Sequence, residues 1–293
     1  MRVKYQTRIV SKQFSTDGGT GAEKTAFIQN IVNALIDMGA PLDADTFTDM
    51  GGGSAAVSFA GEGTIFLFGA ASIFFETYTK SGSNALSIGI WGYGRNNVDT
   101  VLGNYVFFEE LIYGYTNMKE ATVAIHAVKS GDSFFFGFIP PTGNLYGGCI
   151  SYALTPMRRL SDPSVSLGYA LVEGNIPGGP DMSIGGMFNR TLPFVEGFNY
   201  RDGFFNFTTT GYAYAFPETD TGKIPLVPYF AGIEDIYYDK VYVCPMKRGI
   251  MEEKAFETDK GTFLIGGIHG VDHTAMGYNN FAFDITEAVN TAQ

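Results

Sequence analysis

The sequence predicts a mainly β protein, an antiparallel sandwich or barrel-like fold, with one amphipathic α-helix near its N-terminus. Three observations carry this. Aromatic residues make up 15% of the 293 residues, as 26 Phe and 17 Tyr against a single Trp, a balance that suits pleated, half-buried surfaces. The 38 Gly, together with Pro and Asn or Asp, supply chain reversals at short intervals. Beyond the helix, apolar residues recur with a period of two, in runs spaced roughly ten residues apart and without helices between them, the layout of an antiparallel sandwich or barrel.

In chain order, Arg2-Val3-Lys4-Tyr5-Gln6-Thr7-Arg8-Ile9-Val10 roughly alternates polar with apolar residues. Residues 1–14 therefore read as an opening strand or as an arm that docks elsewhere. A turn at Asp17-Gly18-Gly19 follows, and Thr20 and Glu23 have the spacing of a capping box, in which each side chain satisfies a backbone N–H at a helix start. From Glu23 to Met38, Phe27, Ile28, Ile31, Val32, Leu35 and Ile36 fall on one stripe, with Lys24, Gln29, Asn30, Asn33 and Asp37 outside it. Gly39 and Pro41 end the helix. Its stripe is expected to cover a sheet of its own chain, the alternative being another subunit.

Strands are then expected at Ala55–Phe59, Thr64–Phe68, Ile73–Tyr78, Ala85–Trp91, Tyr105–Tyr113, Ala121–Val128 and Ser133–Ile139. Turn signals separate them, among them Ser81-Gly82-Ser83-Asn84, Gly94-Arg95-Asn96-Asn97 and Lys129-Ser130-Gly131-Asp132. Thr155 to Pro180, rich in Pro and Gly and including Arg158-Arg159, reads as a candidate boundary or long connection between two halves. Further strands are expected at Ser183–Phe188, Phe204–Thr209, Tyr212–Phe216, Lys240–Cys244, Thr262–Ile265 and Phe281–Ile285. The expected organisation is residues 1–50 as arm and helix on the first β region, 51–155 as a β domain, and 156–293 as a second β region. No repeat of constant period occurs, which speaks against a solenoid or propeller.

The formal charge of −11, without any basic run, argues against direct nucleic-acid binding, which needs Lys and Arg to displace counterions from phosphates. Two cysteines, Cys149 and Cys244, allow neither a disulfide framework nor a four-thiolate zinc site, and are expected as reduced core thiols. The N-terminus has no apolar signal-peptide core, and no stretch approaches the roughly 18 apolar residues of a membrane span. The chain is expected to be made and used in the cytoplasm, or to leave the cell by a route other than a signal peptide.

Each motif that resembles chemistry has a plainer account. His269, Asp272 and His273 are residue types that a transition metal binds, but their segment is bounded by Gly and no third ligand position on a rigid element is evident. Asp43-Ala44-Asp45-Thr46-Phe47-Thr48-Asp49 alternates oxygen ligands like a calcium loop, yet lacks the turn Gly and the distal Glu, and reads as an acidic turn. Gly51-Gly52-Gly53-Ser54 and Gly92-Tyr93-Gly94-Arg95 lack the Lys-Ser/Thr of a phosphate loop and read as turns. His126 lies in an apolar strand pattern, and no nucleophile elbow accompanies it. Glu109-Glu110 and Glu252-Glu253 are adjacent pairs, which on a strand point to opposite faces and so do not make an acid–base couple. No catalytic, cofactor-binding or metal site is expected, and the chain is not expected to be an enzyme. The Tyr pairs Tyr113/Tyr115, Tyr212/Tyr214 and Tyr237/Tyr238 are the candidate interface or glycan contacts, because a Tyr ring stacks on sugars and on partner surfaces alike. Cross-strand packing in their own sheet is the competing account.

The opening β segment, the helix Glu23-Lys24-Thr25-Ala26-Phe27-Ile28-Gln29-Asn30-Ile31-Val32-Asn33-Ala34-Leu35-Ile36-Asp37-Met38-Gly39 and the Gly- and aromatic-rich region after it form one recognisable layout. Near the C-terminus, Ile224-Pro225-Leu226-Val227-Pro228, Lys240-Val241-Tyr242-Val243-Cys244, Asp259-Lys260-Gly261-Thr262-Phe263-Leu264 and Phe281-Ala282-Phe283-Asp284 continue it. The layout resembles that of uncharacterised virion structural proteins of tailed bacteriophages infecting Firmicutes and related gut bacteria. The resemblance covers these two parts of the chain and contains no functional motif to carry over. It implies a virion component of the neck, tail or tail tip, present as a symmetric homo-oligomer, with copies of itself and other virion proteins as partners. A receptor- or carbohydrate-binding module of a tail or fibre, touching a host-surface glycan, is the alternative.

Overall fold

The computed structural model describes residues 5–60, 69–79, 86–95, 101–104, 119–139, 150–175, 227–230, 236–244, 255–258, 260–265 and 280–290. It is mainly antiparallel β, with a curled, half-barrel sheet and one long helix near the N-terminus. The strands are β1 (Gln6–Gln13), β2 (Thr48–Gly51), β3 (Ser54–Ser58), β4 (Gly69–Thr79), β5 (Leu86–Arg95), β6 (Val101–Asn104), β7 (Glu120–Ser130) and β8 (Ser133–Ile139). They continue as β9 (Ile150–Arg159), β10 (Ser166–Asn175), β11 (Val227–Phe230), β12 (Ile236–Cys244), β13 (Ala255–Thr258), β14 (Gly261–Ile265) and β15 (Asn280–Asp284). The helices are α1 (Gly21–Asp37) and the short α2 (Thr286–Asn290).

The larger sheet runs β1-β7-β8-β9-β12-β15-β14-β13, with β10 added on β9 and β11 on β12; the smaller runs β2-β3-β4-β5-β6. Helix α1 packs on β1 of the first sheet and on β2, β3 and β4 of the second, so it fills the seam between them, and β10 also touches β4 and β5. The helix stripe is the reason: Phe27, Ile28, Ile31, Val32 and Leu35 have no exposed surface. Burying each such side chain contributes about 2 kcal/mol. The expectation that α1 lays its stripe on its own chain holds.

The helix ends follow from local chemistry. Thr20 Oγ1 accepts from the Glu23 N–H (3.3 Å), and Glu23 Oε2 accepts from the Thr20 N–H (2.8 Å), completing the capping box. Glu23 Oε1 also accepts from the Ser15 N–H (2.7 Å), tying the chain that leaves β1 to the start of α1. These bonds, the Thr20 one first, hold the Glu23 carboxyl down to about 2 from an ordinary 4.5. A folded-state pKa below the unfolded one stabilises the fold above pH 4.5 and loses that contribution as pH falls toward 2. We expect the Glu23 carboxyl resonance to titrate near pH 2. We also expect Glu23→Gln to flatten the pH dependence of unfolding between pH 4.5 and 2; a midpoint near 4.5 would refute the cap.

Residues 6–13 are a strand of the large sheet, paired antiparallel with β7 from Gln6↔Ala127 to Gln13↔Glu120. Val10 and Phe14 are buried, and Phe14 meets Phe27 of α1 edge to face at 6.5 Å. Strands β3, β4, β5, β7, β8, β14 and β15 lie where alternation predicts them, within a few residues at their ends. Lys240–Cys244 is the second half of the longer β12. The expected strands Thr64–Phe68, Tyr105–Tyr113, Ser183–Phe188, Phe204–Thr209 and Tyr212–Phe216 lie outside the described residues.

Two readings need correction. Gly92-Tyr93-Gly94-Arg95 is not a turn: it is the end of β5, paired with β4 on one side and β6 on the other. Thr155 to Asn175 is not a connection: it holds the end of β9 and all of β10, paired from Arg158↔Ser166 to Ser151↔Asn175. Pro156 is accommodated because on that edge of β9 strand β8 has ended at Leu154 and β12 begins only at Met157. No ladder partner is waiting there for the N–H that Pro lacks. Because β9 takes β8 and β12 along this edge, the large sheet runs across residue 155 without interruption.

Candidate functional site

The most concentrated set of polar side chains among the described residues surrounds a bend in β12. That strand pairs with β9 over Ile236–Tyr238 and with β15 over Val241–Cys244, leaving Asp239 and Lys240 at the change of partner. Lys240 takes the left-handed conformation there (φ 59°), uncommon for any residue other than Gly. The bend leaves the Asp239 carbonyl without a strand partner among the described residues, and the Thr155 hydroxyl donates to it, with Ser133 Oγ 3.4 Å away. Both hydroxyl residues are fully buried, and Ser133 Oγ donates its proton to Thr155 Oγ1 at 2.9 Å.

Side-chain charges close the same bend. Arg158 Nε meets Asp239 Oδ2 at 2.9 Å, its Nη2 meets Asp132 Oδ2 at 2.9 Å, and its Nη1 donates to the Pro163 carbonyl at 3.2 Å. Partial burial pulls the Arg158 pKa down, but bonds and charge from Asp239 and then Asp132 outweigh it and leave it raised. Lys240 Nζ pairs with Glu287 of α2 at 2.7 Å and reaches Ser130 Oγ at 3.4 Å. Asp132 arrives through the two-residue β7–β8 turn, where Gly131 supplies the positive φ (56°) such a turn needs. Burial raises Tyr169 and Tyr237 above the ordinary phenol value, with help from Asp132 for the first and Asp239 for the second. With all three guanidinium nitrogens of Arg158 engaged, this is a fastener joining a hairpin turn, β9, β12 and α2.

The candidate Tyr residues are placed unequally. Tyr238 has no exposed surface, because the pleat turns it into the core; Tyr237, one step along, is half-buried. Only Tyr237 of this pair presents part of its ring for a contact. Tyr113, Tyr115, Tyr212 and Tyr214 lie outside the described residues, as do His269, Asp272, His273, Cys149, Glu109-Glu110 and Glu252-Glu253.

The acidic stretch after α1 has explicit structural duties. Asp43 Oδ1 accepts from the Asp45 N–H (3.0 Å) at the start of a short 3₁₀ turn. Asp49 Oδ1 accepts from Thr25 Oγ1 (3.1 Å) and the Gly51 N–H (2.8 Å). Gly51, Gly52 and Gly53 all have positive φ in the β2–β3 turn, as expected for a turn rather than a phosphate loop. No group of three His, Cys, Asp or Glu side chains suited to a metal occurs among the described residues. Nor is any helix among them long and apolar enough to cross a membrane. A cleft of about 430 Å³ lies between the start of β1, the β7–β8 turn and α2, lined by Gln6, Ala127, Val128, Lys129, Gly131, Glu287 and Ala288.

No protein-family model matches the chain, and neither a curated protein nor a solved structure gives a significant match.

Proposed function

We propose that this chain is a non-enzymatic building block of a tailed-phage virion, acting in assembly of the neck, tail or tail tip as a symmetric oligomer. The observation that carries the assembly reading is the position of β1: an eight-residue strand at one end of the large sheet, with no further strand beside it among the described residues. An open edge of this length presents a row of backbone donors and acceptors that another chain can complete. The polar groups around the β12 bend support the same reading, since they are committed to one another. The placement in a phage particle rests on the resemblance of the helix and the terminal β segments. Partners on this reading are copies of the chain and other virion proteins, and the site of action is the particle.

A receptor- or glycan-binding module has less support, because Tyr238 is core and Tyr237 is left as the described member of the pairs. Peptide mass spectrometry of gradient-purified tailed particles, from a culture encoding the chain, tests the placement. Its peptides are expected at a fixed ratio to the other virion proteins. Recovery in the lysate alone, never with particles, would overturn it.

A further inference from the structure

We infer that copies of the chain join head to tail through the two ends of the large sheet, β1 of one copy adding to the outer edge of β13 in the next. This rests on the self-assembly reading and goes further by naming the contact. Both strands end the sheet order, and among the described residues neither has a strand paired on its outer side.

Charge selects the pairing. Residues 1–14 hold four of the chain's 19 Lys and Arg and none of its 30 Asp and Glu, so a basic strand stands on a chain of net charge −11. Arg8 is exposed and Lys12 half-buried on β1, and neither makes an ion pair among the described residues. Glu257, exposed on β13, makes none either. Two β1 strands side by side would oppose two cations with two more, and like charges on adjacent strands repel. β1 against β13 instead brings Arg8 and Lys12 to a carboxylate across strands about 4.8 Å apart. It also gives Ile9, 72% exposed, a cross-strand neighbour. Such a contact is heterologous, and it closes a ring when the rotation between copies allows. β13 has only four residues, so each contact is short and the assembly depends on closure.

The test is native mass spectrometry with light scattering on the full-length chain. The double variant R8E/K12E is expected to weaken the multimer roughly tenfold or more, and adding E257K in the same chain to restore it. Circular dichroism checks that these changes leave the fold intact. A multimer unaffected by R8E/K12E, or one not recovered by the triple variant, overturns this contact while leaving self-assembly standing. A wild-type chain that is monomeric at every concentration overturns both.

Discussion

Phe135→Ala is expected to destabilise the protein by about 3–5 kcal/mol, the range for truncating a fully buried aromatic. Phe135 on β8 stacks on Phe283 of β15 at 4.6 Å between ring centroids and 4° between planes, and neither ring has exposed surface. The two strands are not hydrogen-bonded neighbours: β9 and β12 stand between them in the sheet order. Their contact therefore reports the curl of the sheet, which brings strands from before and after residue 155 onto one core. The check is urea unfolding followed by far-ultraviolet circular dichroism and by fluorescence of Trp91, the chain's only tryptophan. A loss under 1 kcal/mol would mean that the two rings are not packed as described; for scale, deleting one methylene from a core costs about that much.

Arg158→Met is expected to cost about 2–3 kcal/mol, because it leaves the Asp239 carboxylate and the Pro163 carbonyl without their donor. Exposure decides which pair carries the loss. The side chains of Arg158 and Asp239 are 14% and 17% exposed, whereas that of Asp132 is 67% exposed and its attraction is screened by water. Asp132→Asn should therefore change stability by less than about 1 kcal/mol. Arg158→Met and Asp239→Asn should be strongly non-additive in a double-mutant cycle. Additive effects would show that the charges do not hold the β12 bend.

Helix α1 was legible because its determinants are local: Thr20, Glu23, the apolar stripe and Gly39 lie within 20 residues of one another. Strand β7 was legible because one of its faces is buried and the other less so from Ala121 to Ala127, which writes the pleat into the sequence. β9 and β10 were not. Pro156 is excused by a gap between two partners, and Gly168 sits at φ 119° in an irregularity between Ser166 and Tyr169; sequence alone reads both as breaks. Gly92 and Gly94 misled in the same way, since Gly92 is paired with β4 and β6 and Gly94 with β6, which keeps both in a strand.

The polar cluster left no sequence signal at all. Arg158 is 26 residues from Asp132 and 81 from Asp239, and the bend at Lys240 is set by which strands flank β12. The adjacent pair Tyr237-Tyr238 was visible, but which ring faces the core depends on register, which composition does not carry.

Self-association of the chain is the claim on which the functional reading stands. Deleting residues 1–14 is a poor probe of it, because Val10 and Phe14 belong to the core and their loss would damage the fold itself. The direct measurement is the molar mass of the intact 293-residue chain by light scattering behind a size-exclusion column, across a wide range of loading concentration. A single multimer of fixed copy number that persists on dilution is the predicted result. A mass of 31.8 kDa at every concentration would contradict the account.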